Sequence, residues 1–250
     1  MDLTEYMSGA IENIVKEAMK ASLKNPREST FLLKNMTAQI RAAKKRSIME
    51  AKGEHIPPFL IASIASQCNL FCKGCYAREN HSCGDGACQD ELSPQQWKRI
   101  FGEADGLGIS FILLAGGEPL LRRDVIEAAA AFPDVIFPVF TNGTMMTEFF
   151  INFFDKKRNL VPILSIEGDC AQTDTRRGEG TYDAIIKAMD EMSARGIFYG
   201  ASVTVTAQNL DTVTDKKFID MLDQNGCKLV IYVEYVPATR STESLAPGDK

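Results

Sequence analysis

The 250-residue sequence has little excess charge, only two histidines and no long apolar run. Its 28 basic and 33 acidic residues are mixed along the chain and give a formal net charge of −5, without the basic stripe that binds nucleic acid. No stretch of about 18 uncharged apolar residues occurs, and the first residues lack the charged and apolar regions of a signal peptide. We therefore expect a cytoplasmic protein with neither a membrane nor a nucleic acid as its partner.

Cysteine is scarce overall, yet three of the seven cysteines crowd into one short segment. Cys68, Cys72 and Cys75 follow a C-x3-C-x2-C spacing, directly after an apolar run at 59–65 that predicts a buried strand. Clustered cysteines indicate disulfides in a small secreted domain but a metal site in an intracellular protein. Four thiolates close a zinc site or an iron-sulfur cluster, so three of them leave one coordination position open.

This cysteine spacing, the strand before it and the Ala-Gly-Gly-Glu-Pro segment at 115–119 together resemble the radical S-adenosylmethionine (SAM) enzymes. The resemblance implies that Cys68, Cys72 and Cys75 hold a [4Fe-4S] cluster whose open iron binds the methionyl part of SAM. Reductive cleavage of SAM then gives a 5'-deoxyadenosyl radical that abstracts hydrogen from a substrate. The resemblance also implies a reductant such as ferredoxin or flavodoxin as a partner, and an anaerobic or well-reduced setting.

From residue 59 onward, strand patterns alternate with helix patterns, which predicts parallel strands joined by crossover connections. The predicted strands are 59–65, 109–114, 135–140, 161–166, 198–205 and 228–235. The predicted helices lie near 93–106, 123–132, 145–157, 180–195 and 213–225. Six such units predict an α/β fold, a partial (β/α)6 TIM-like barrel, which is also the fold that the resemblance implies.

The chain divides into three predicted parts. Residues 1–55 form a helical N-terminal extension, with helices at 3–24 and from about 29 to 51, and we expect the basic face of the second helix at residues 41–46 to be solvated. Residues 56–238 form the barrel, and residues 239–250 form a polar tail without periodicity. No second cysteine-rich segment follows the last strand, so this is either a core-only enzyme or a chain that stops early.

Two glycines, a glutamate and a proline follow the second predicted strand, where ligands of parallel α/β folds gather. Because Gly116 and Gly117 have no Cβ, the backbone there can approach a ligand closely. Their carbonyls and Glu118 would accept hydrogen bonds from the methionyl amine of SAM. The same segment would also serve as a strand-ending turn.

The third and fourth predicted strands also end in polar residues. The resemblance implies that Thr141 and Asn142 line the SAM site, although Asn-Gly is a turn signal by itself. Ser165 and Glu167 alternate along a strand end, so both can face the same side. The resemblance implies that Ser165 and Arg177 bind the carboxylate and ribose of SAM, and we expect only one of the neighbouring Arg176 and Arg177 to face the site.

One position departs from the family pattern. An aromatic residue is common just before the third cysteine, where it packs near the adenine of SAM, and here that position is Gly74. Tyr76 is the next candidate for this contact, or the contact involves the backbone alone.

The substrate is open between two classes. A peptide or protein is the leading prediction because the Thr-Asn-Gly, Ser-Ile-Glu-Gly and Arg-Arg-Gly segments look most like the peptide-modifying branch of the family. A tetrapyrrole or another small molecule is the alternative. A non-catalytic protein, in which Cys83 or Cys88 supplies a fourth thiolate and closes a zinc or iron-sulfur site, is a third interpretation. We otherwise expect Cys83 and Cys88 to be incidental thiols of an exposed loop.

Overall fold

The computed structural model describes residues 26–84 and 91–248. Six parallel strands form one sheet in sequential order and curl into a half-barrel. The strands are β1 (Phe59–Ala65), β2 (Phe111–Gly116), β3 (Phe137–Thr141), β4 (Leu160–Ser165), β5 (Gly200–Val205) and β6 (Leu229–Glu234). All six predicted strands are confirmed, each with its ends within two residues of the prediction.

Helices connect the strands. They are α1 (Pro26–Glu50), α2 (Tyr76–Glu79), α3 (Pro94–Leu107), α4 (Arg123–Ala129), α5 (Glu148–Lys156), α6 (Cys170–Arg177), α7 (Thr181–Ala194), α8 (Leu210–Val213) and α9 (Lys216–Gln224). The sequence analysis did not predict α2, α6 or α8, and the predicted helix at 3–24 lies outside the described residues. Among the residues described, no helix combines the length and apolar character that crossing a bilayer requires.

The main core lies between the sheet and the surrounding helices. Because side chains alternate along a strand, every second residue of each strand points outward into this core. Ile64, Leu114, Val139, Leu164 and Val203 each come from a different strand and are almost completely buried there. The opposite strand faces, toward the inside of the half-barrel, are left to line the site.

A smaller apolar cluster fills the half-barrel near the starts of the strands. Val161 and Ile163 of β4 and Phe198, just before β5, pack there with Phe31 and Leu32 of α1. Helix α1 therefore closes the N-terminal end of the half-barrel, which leaves the opposite end for ligands.

The basic face of α1 is exposed at Arg41, Lys44 and Lys45, as expected, and it also contacts the loops that precede the strands. Arg41 forms an ion pair with Asp134 at 2.9 Å, and Arg46 Nη1 donates to the carbonyl of Gly108 at 2.6 Å. Gly108 has a φ of +88°, and a Cβ there would lie 2.6 Å from the carbonyl oxygen of Ala42. These contacts fix α1 on the loops that precede the strands.

The end of the described chain returns to the opposite, C-terminal end of the barrel. A short 3₁₀ helix (Arg240–Leu245) forms within the predicted polar tail. The backbone N–H of Ala207, just after β5, donates to the carbonyl of Leu245 at 2.9 Å. The tail thus lies beside the loops that carry the site.

Candidate active site

The loop that follows β1 carries three half-buried cysteines, Cys68, Cys72 and Cys75. The loop turns on itself where the N–H of Cys75 donates to the carbonyl of Cys72 at 3.2 Å. It is also tied to α6, because the N–H of Lys73 donates to the carbonyl of Arg176 at 2.9 Å. The predicted ligands therefore face a site that β4 and α6 also border.

Arg78, at the end of this segment, supports the first half of the loop. Its guanidinium group donates to the carbonyls of Leu70 at 3.0 Å and Cys68 at 3.3 Å. It also lies 3.9 Å from the ring centroid of Phe71, a geometry that favours a cation–π contact. One guanidinium group thus fixes the backbone on both sides of Asn69.

Glu91 and Arg122 fix the start of the cysteine loop. Glu91 Oε1 accepts hydrogen bonds from the N–H and the hydroxyl of Ser66, at 2.7 and 2.5 Å. Arg122 Nη1 donates to Glu91 Oε2 at 2.9 Å and to the carbonyl of Ile64 at 3.0 Å. Although burial raises the pKa of Glu91, the bonds from Ser66 and the charge of Arg122 hold it below its ordinary value.

The electrostatics of the thiols suit a bound cationic group. Burial raises the pKa of Cys68 to about 11, and it also raises that of Cys72, against the charges of Arg177 and Arg176. The raised pKa values mean that forming thiolates in this buried loop costs free energy. A bound metal offsets this cost because it binds the thiolate form. The two arginines add further positive charge beside Cys72, which stabilises that form.

The described residues do not form a single-ion site. No three cysteine, histidine or acidic side chains among them are placed to hold one metal ion, whereas a structural zinc site needs four ligands around one ion. A four-iron cluster is larger and takes each thiolate on a different iron. Three thiols on one loop fit that group, while a closed zinc site with Cys83 is not formed; Cys88 lies outside the described residues.

Gly116, the last residue of β2, and Gly117 lie against the cysteine loop. The N–H of Gly117 donates to the carbonyl of Ala65, and that of Glu118 to the carbonyl of Gln67, both at 2.7 Å. A Cβ at Gly117 would lie 2.0 Å from Gln67 O, and one at Gly116 2.3 Å from Ala65 O. Both positions therefore require glycine, because a Cβ would collide with the backbone of the cysteine loop. The close approach of the glycine backbone to SAM stays a prediction.

Glu118 is buried and joins two loops. Its Oε1 accepts from the N–H of Leu120 at 2.9 Å and from Thr141 Oγ1 at 2.8 Å, and its Oε2 accepts from the N–H of Asn142 at 2.8 Å. Burial raises the pKa of this carboxyl group, and the three hydrogen bonds oppose that rise. The structure gives Glu118 a bridging position between β2 and β3, and its predicted contact with SAM stays a prediction.

Thr141 and Asn142 are also buried at the end of β3. The side-chain amide of Asn142 lies over the cysteine loop, with Nδ2 2.8 Å from Asn69 Oδ1 and 4.0 Å from Cys68 Sγ. The structure therefore brings this pair to the predicted metal ligands.

The predicted residues of β4 and α6 meet at one carboxylate. Ser165 is half-buried, Ile166 points into the core, and Glu167 is 1% exposed. Arg177 Nε lies 2.7 Å and Arg176 Nη1 2.5 Å from the same Oε1 of Glu167. Both arginines face the site, so the expectation that only one of them would do so was wrong.

The group formed by Glu167, Arg176 and Arg177 has unused hydrogen-bonding capacity. Glu167 Oε2 and Arg176 Nε are buried and have no hydrogen-bond partner in the described part of the chain. Buried polar groups are normally paired, so the site is suited to a polar ligand that supplies both a donor and an acceptor. SAM, with its amine, carboxylate and ribose hydroxyls, has this chemistry.

An aromatic side chain does reach the position beside Gly74, but it comes from the end of β6. Tyr235 is buried, and a Cβ added at Gly74 would lie 2.6 Å from its hydroxyl. That hydroxyl has no hydrogen-bond partner among the described residues. Tyr76, the candidate from the sequence, is instead 68% exposed, and its contact with SAM stays a prediction.

The other described cysteines have separate positions. Cys83 is buried, contrary to the expectation of an exposed loop, because its segment pairs with the cysteine loop through a bridge between Gln67 and Gly84. Cys170 is exposed at the start of α6. Cys227 is buried before β6, at the strand-start end of the barrel.

Two curated proteins of similar sequence cover most of this chain. Fe-coproporphyrin III synthase of Methanosarcina barkeri is 25% identical over 189 residues, 74% of this chain and 46% of that protein. Mycofactocin maturase MftC of Mycolicibacterium smegmatis is 29% identical over 170 residues, 66% of this chain and 42% of that protein. The chain thus spans about half the length of the curated relatives that it matches.

A solved structure and a family model agree with this similarity. The crystal structure of Streptococcus suis SuiB bound to the precursor peptide SuiA has a TM-score of 0.64 at 18% identity, over 92% of this chain and 48% of that one, a likeness that shows the shared fold. The family model of the radical SAM superfamily, whose members use a [4Fe-4S] cluster and SAM, matches residues 63–224. This match includes all three cysteines of the loop and the four strand-end segments, and the chain therefore belongs to the radical SAM superfamily of enzymes.

Proposed function

We propose that this enzyme generates a 5'-deoxyadenosyl radical from SAM and uses it to abstract hydrogen from a peptide or protein substrate. The observation that carries the proposal is the position of the three-cysteine loop. Cys68, Cys72 and Cys75 lie at the C-terminal end of the half-barrel, beside the buried carboxylate and two arginines of β4 and α6.

Each part of the site has a role in this proposal. The three thiolates hold the [4Fe-4S] cluster, which when bound supplies the electron that cleaves SAM. Arg177 and Ser165 bind the carboxylate and ribose of SAM, and Glu167 accepts a hydrogen bond through its unpartnered Oε2. The carbonyls of Gly116 and Gly117 receive the methionyl amine.

The remaining residues shape the site. Glu118 positions the loop after β3 through its bonds to Thr141 and Asn142. Tyr76, with Thr141, borders SAM on the side of the cysteine loop. The apolar cluster that α1 completes closes the opposite end of the half-barrel, so that end is closed to water and the substrate enters at the end that carries the cysteines.

Similarity to peptide maturases favours a peptide or protein substrate. MftC is named as a maturase, and the SuiB structure contains its precursor peptide. A tetrapyrrole is the second candidate, because a protein named Fe-coproporphyrin III synthase is also similar over 74% of this chain. A ferredoxin or flavodoxin is the proposed reductant in both cases, and the proposed location is the cytoplasm under anaerobic or well-reduced conditions.

Anaerobic reconstitution tests the proposed cofactors. The protein is loaded with iron and sulfide, reduced, and measured by EPR with and without SAM. We expect about four irons per chain, an EPR signal that changes on adding SAM, and release of 5'-deoxyadenosine. A protein that binds zinc alone and does not respond to SAM would contradict the proposal.

Deuterium transfer then tests the substrate class. Peptide and tetrapyrrole fractions from source cells grown in deuterated medium are each incubated with the reconstituted enzyme. Abstraction from the substrate places deuterium in 5'-deoxyadenosine, which mass spectrometry detects. We expect transfer from the peptide fraction, whereas transfer from the tetrapyrrole fraction alone would favour the second candidate.

A further inference from the structure

We propose that the side-chain amide of Asn142 donates an N–H···S hydrogen bond to Cys68 and thereby raises the reduction potential of the cluster. This inference rests on the proposed function, because it takes Cys68 as a ligand of the [4Fe-4S] cluster. It gives Asn142 a role toward the cluster, in place of the contact with SAM that the sequence predicts. Asn69 and Thr144 act as positioning residues that hold the amide of Asn142 against Cys68.

Three polar side chains form a closed hydrogen-bond cycle above Cys68. Asn142 Nδ2 donates to Asn69 Oδ1 at 2.8 Å. Asn69 Nδ2 donates to Thr144 Oγ1 at 2.8 Å, and Thr144 Oγ1 donates to Asn142 Oδ1 at 2.7 Å. Each member therefore donates once and accepts once within the cycle.

The cycle fixes which side of the Asn142 amide meets the sulfur. Asn142 Oδ1 also accepts from the backbone N–H of Thr144 at 3.0 Å. Turning the amide over would place its oxygen against Asn69 Oδ1 and its nitrogen against that N–H, so both contacts would be lost. The second N–H of Asn142 Nδ2 is left for Cys68 Sγ, 4.0 Å away.

The backbone of Asn142 is held equally firmly. Its N–H donates to the buried Oε2 of Glu118 at 2.8 Å, and the residue is 5% exposed. A buried amide fixed by several partners loses little further entropy when it donates to a sulfur, and low polarity around it strengthens the bond. The side chain is thus preorganised toward Cys68.

Cys68 already accepts one backbone hydrogen bond, from the N–H of Leu70 at 3.5 Å. An electron added to the cluster by a one-electron donor increases the negative charge shared by the thiolate sulfurs. Hydrogen bonds to those sulfurs stabilise the charge, so they stabilise the reduced cluster more than the oxidised one and raise its potential. Removing the Asn142 amide should make the cluster harder to reduce.

The test is a redox titration of reconstituted protein, followed by the EPR signal of the reduced cluster. Two variants are compared with the wild type: Asn142→Ala, which removes the donor, and Thr144→Val, which opens the cycle without removing the donor. Asn80→Ala is the matched control, because Asn80 lies on the same segment as the cysteines but its side chain is exposed and accepts from Ser82. Iron content and SAM affinity are measured for each protein.

We expect a midpoint potential more negative than that of the wild type in Asn142→Ala, a smaller shift of the same sign in Thr144→Val, and no shift in Asn80→Ala. Wild-type potentials in both variants, at full iron content, would overturn the inference and leave the proposed function intact. Reduced SAM affinity in Asn142→Ala at an unchanged potential would also overturn it. A wild-type protein without a SAM-responsive cluster would instead refute the proposed function.

If Asn142→Ala does not fold, the Thr144→Val titration decides the question. Thr144 is half-buried, and the backbone hydrogen bond from its N–H to Asn142 remains in the variant. An unshifted potential in this variant would then overturn the inference.

Discussion

The buried carboxylate of Glu118 and the backbone N–H of Asn142 join two strand-end loops through a 2.8 Å hydrogen bond. Glu118 follows β2, and Asn142 follows β3. The N–H of Glu118 in turn donates to the carbonyl of Gln67, next to the first cysteine, at 2.7 Å. One residue therefore aligns three of the loops that form the site, and it does so from inside the protein.

We expect Glu118→Gln to destabilise the fold even though the two side chains have the same shape. The amide nitrogen of glutamine would face one of three donors that now meet a carboxylate oxygen, so a buried N–H or O–H would lose its acceptor. An unsatisfied buried group costs about 1–3 kcal/mol. Urea unfolding of the apo-protein measures the change, with the partly exposed Glu127→Gln in α4 as the control. Equal stability of both variants would contradict the bridging role of Glu118.

Replacing any one of Cys68, Cys72 or Cys75 by alanine should abolish the cluster. In the proposed site each provides one of three thiolate ligands, and no other cysteine of the described residues lies on this loop. Cys227→Ala is the matched control, since Cys227 lies at the opposite end of the barrel. Iron content per chain and the EPR response to SAM measure the result. A full SAM-responsive cluster in any of the three variants would refute the ligand assignment.

Arg177→Ala should weaken SAM binding more than Arg176→Ala. Both guanidinium groups contact Glu167, but Arg177 makes two of the three contacts and is the more deeply buried. Loss of a charged hydrogen bond costs on the order of 1.5–3 kcal/mol, which is roughly a ten- to hundred-fold loss of affinity. SAM titrations of the two variants measure it. Equal losses, or a larger loss in Arg176→Ala, would assign the carboxylate of SAM to Arg176.

The sequence predicted the strands well because each is a run of apolar residues between turn signals. It missed α6 because that helix is polar and buries only Thr173, so no apolar period marks it. The loops of the site were also predictable, since parallel strands bring their carboxyl ends to one edge. The sequence did not predict the residues that hold those loops, such as Arg78, Glu91 and Arg122. Isolated charged residues form no sequence pattern that reveals partners distant along the chain.

The Glu91 contact with Ser66 predicts a pH dependence of stability. The pKa of Glu91 lies below its ordinary value of 4.5 because the bonds from Ser66 and the charge of Arg122 outweigh the rise that burial causes. Such a group stabilises the fold above its ordinary pKa, and this contribution is lost as the pH falls through the lowered value. Below both values the contribution is absent.

As the pH falls through 4.5 and below it, the apo-protein should therefore lose more free energy of unfolding than Glu91→Gln does. Denaturant unfolding at a series of pH values measures this difference. Glu103→Gln, at an exposed position of α3, is the control and should follow the wild-type curve. Parallel curves for wild type and Glu91→Gln would show that Glu91 does not hold the loop through its charge.

Gly74→Ala should disturb the cysteine loop for two physical reasons. Gly74 has a φ of +64°, where an L-residue with a side chain is strained by about 1–2 kcal/mol. The added Cβ would also lie 2.6 Å from the hydroxyl of Tyr235 and 3.0 Å from Cδ1 of Leu245. Both neighbours belong to the C-terminal part of the chain, so the substitution should push β6 and the last 3₁₀ helix away from the cysteines.

Two matched variants separate the strain from the collision. Gly53 has a φ of +83° and Gly84 does not have a positive φ, and a Cβ at either would meet no atom of the described residues within 4 Å. We therefore expect Gly53→Ala to lower the free energy of unfolding by the strain energy alone, and Gly84→Ala to leave it nearly unchanged. Gly74→Ala should lower the free energy of unfolding more than Gly53→Ala does, and it should also lower the iron content. Denaturant unfolding and iron analysis of the three variants measure this order. If Gly74→Ala were no less stable than Gly53→Ala, then Tyr235 could not be packed against the backbone before the third cysteine, and the aromatic side chain at this position would have to come from elsewhere.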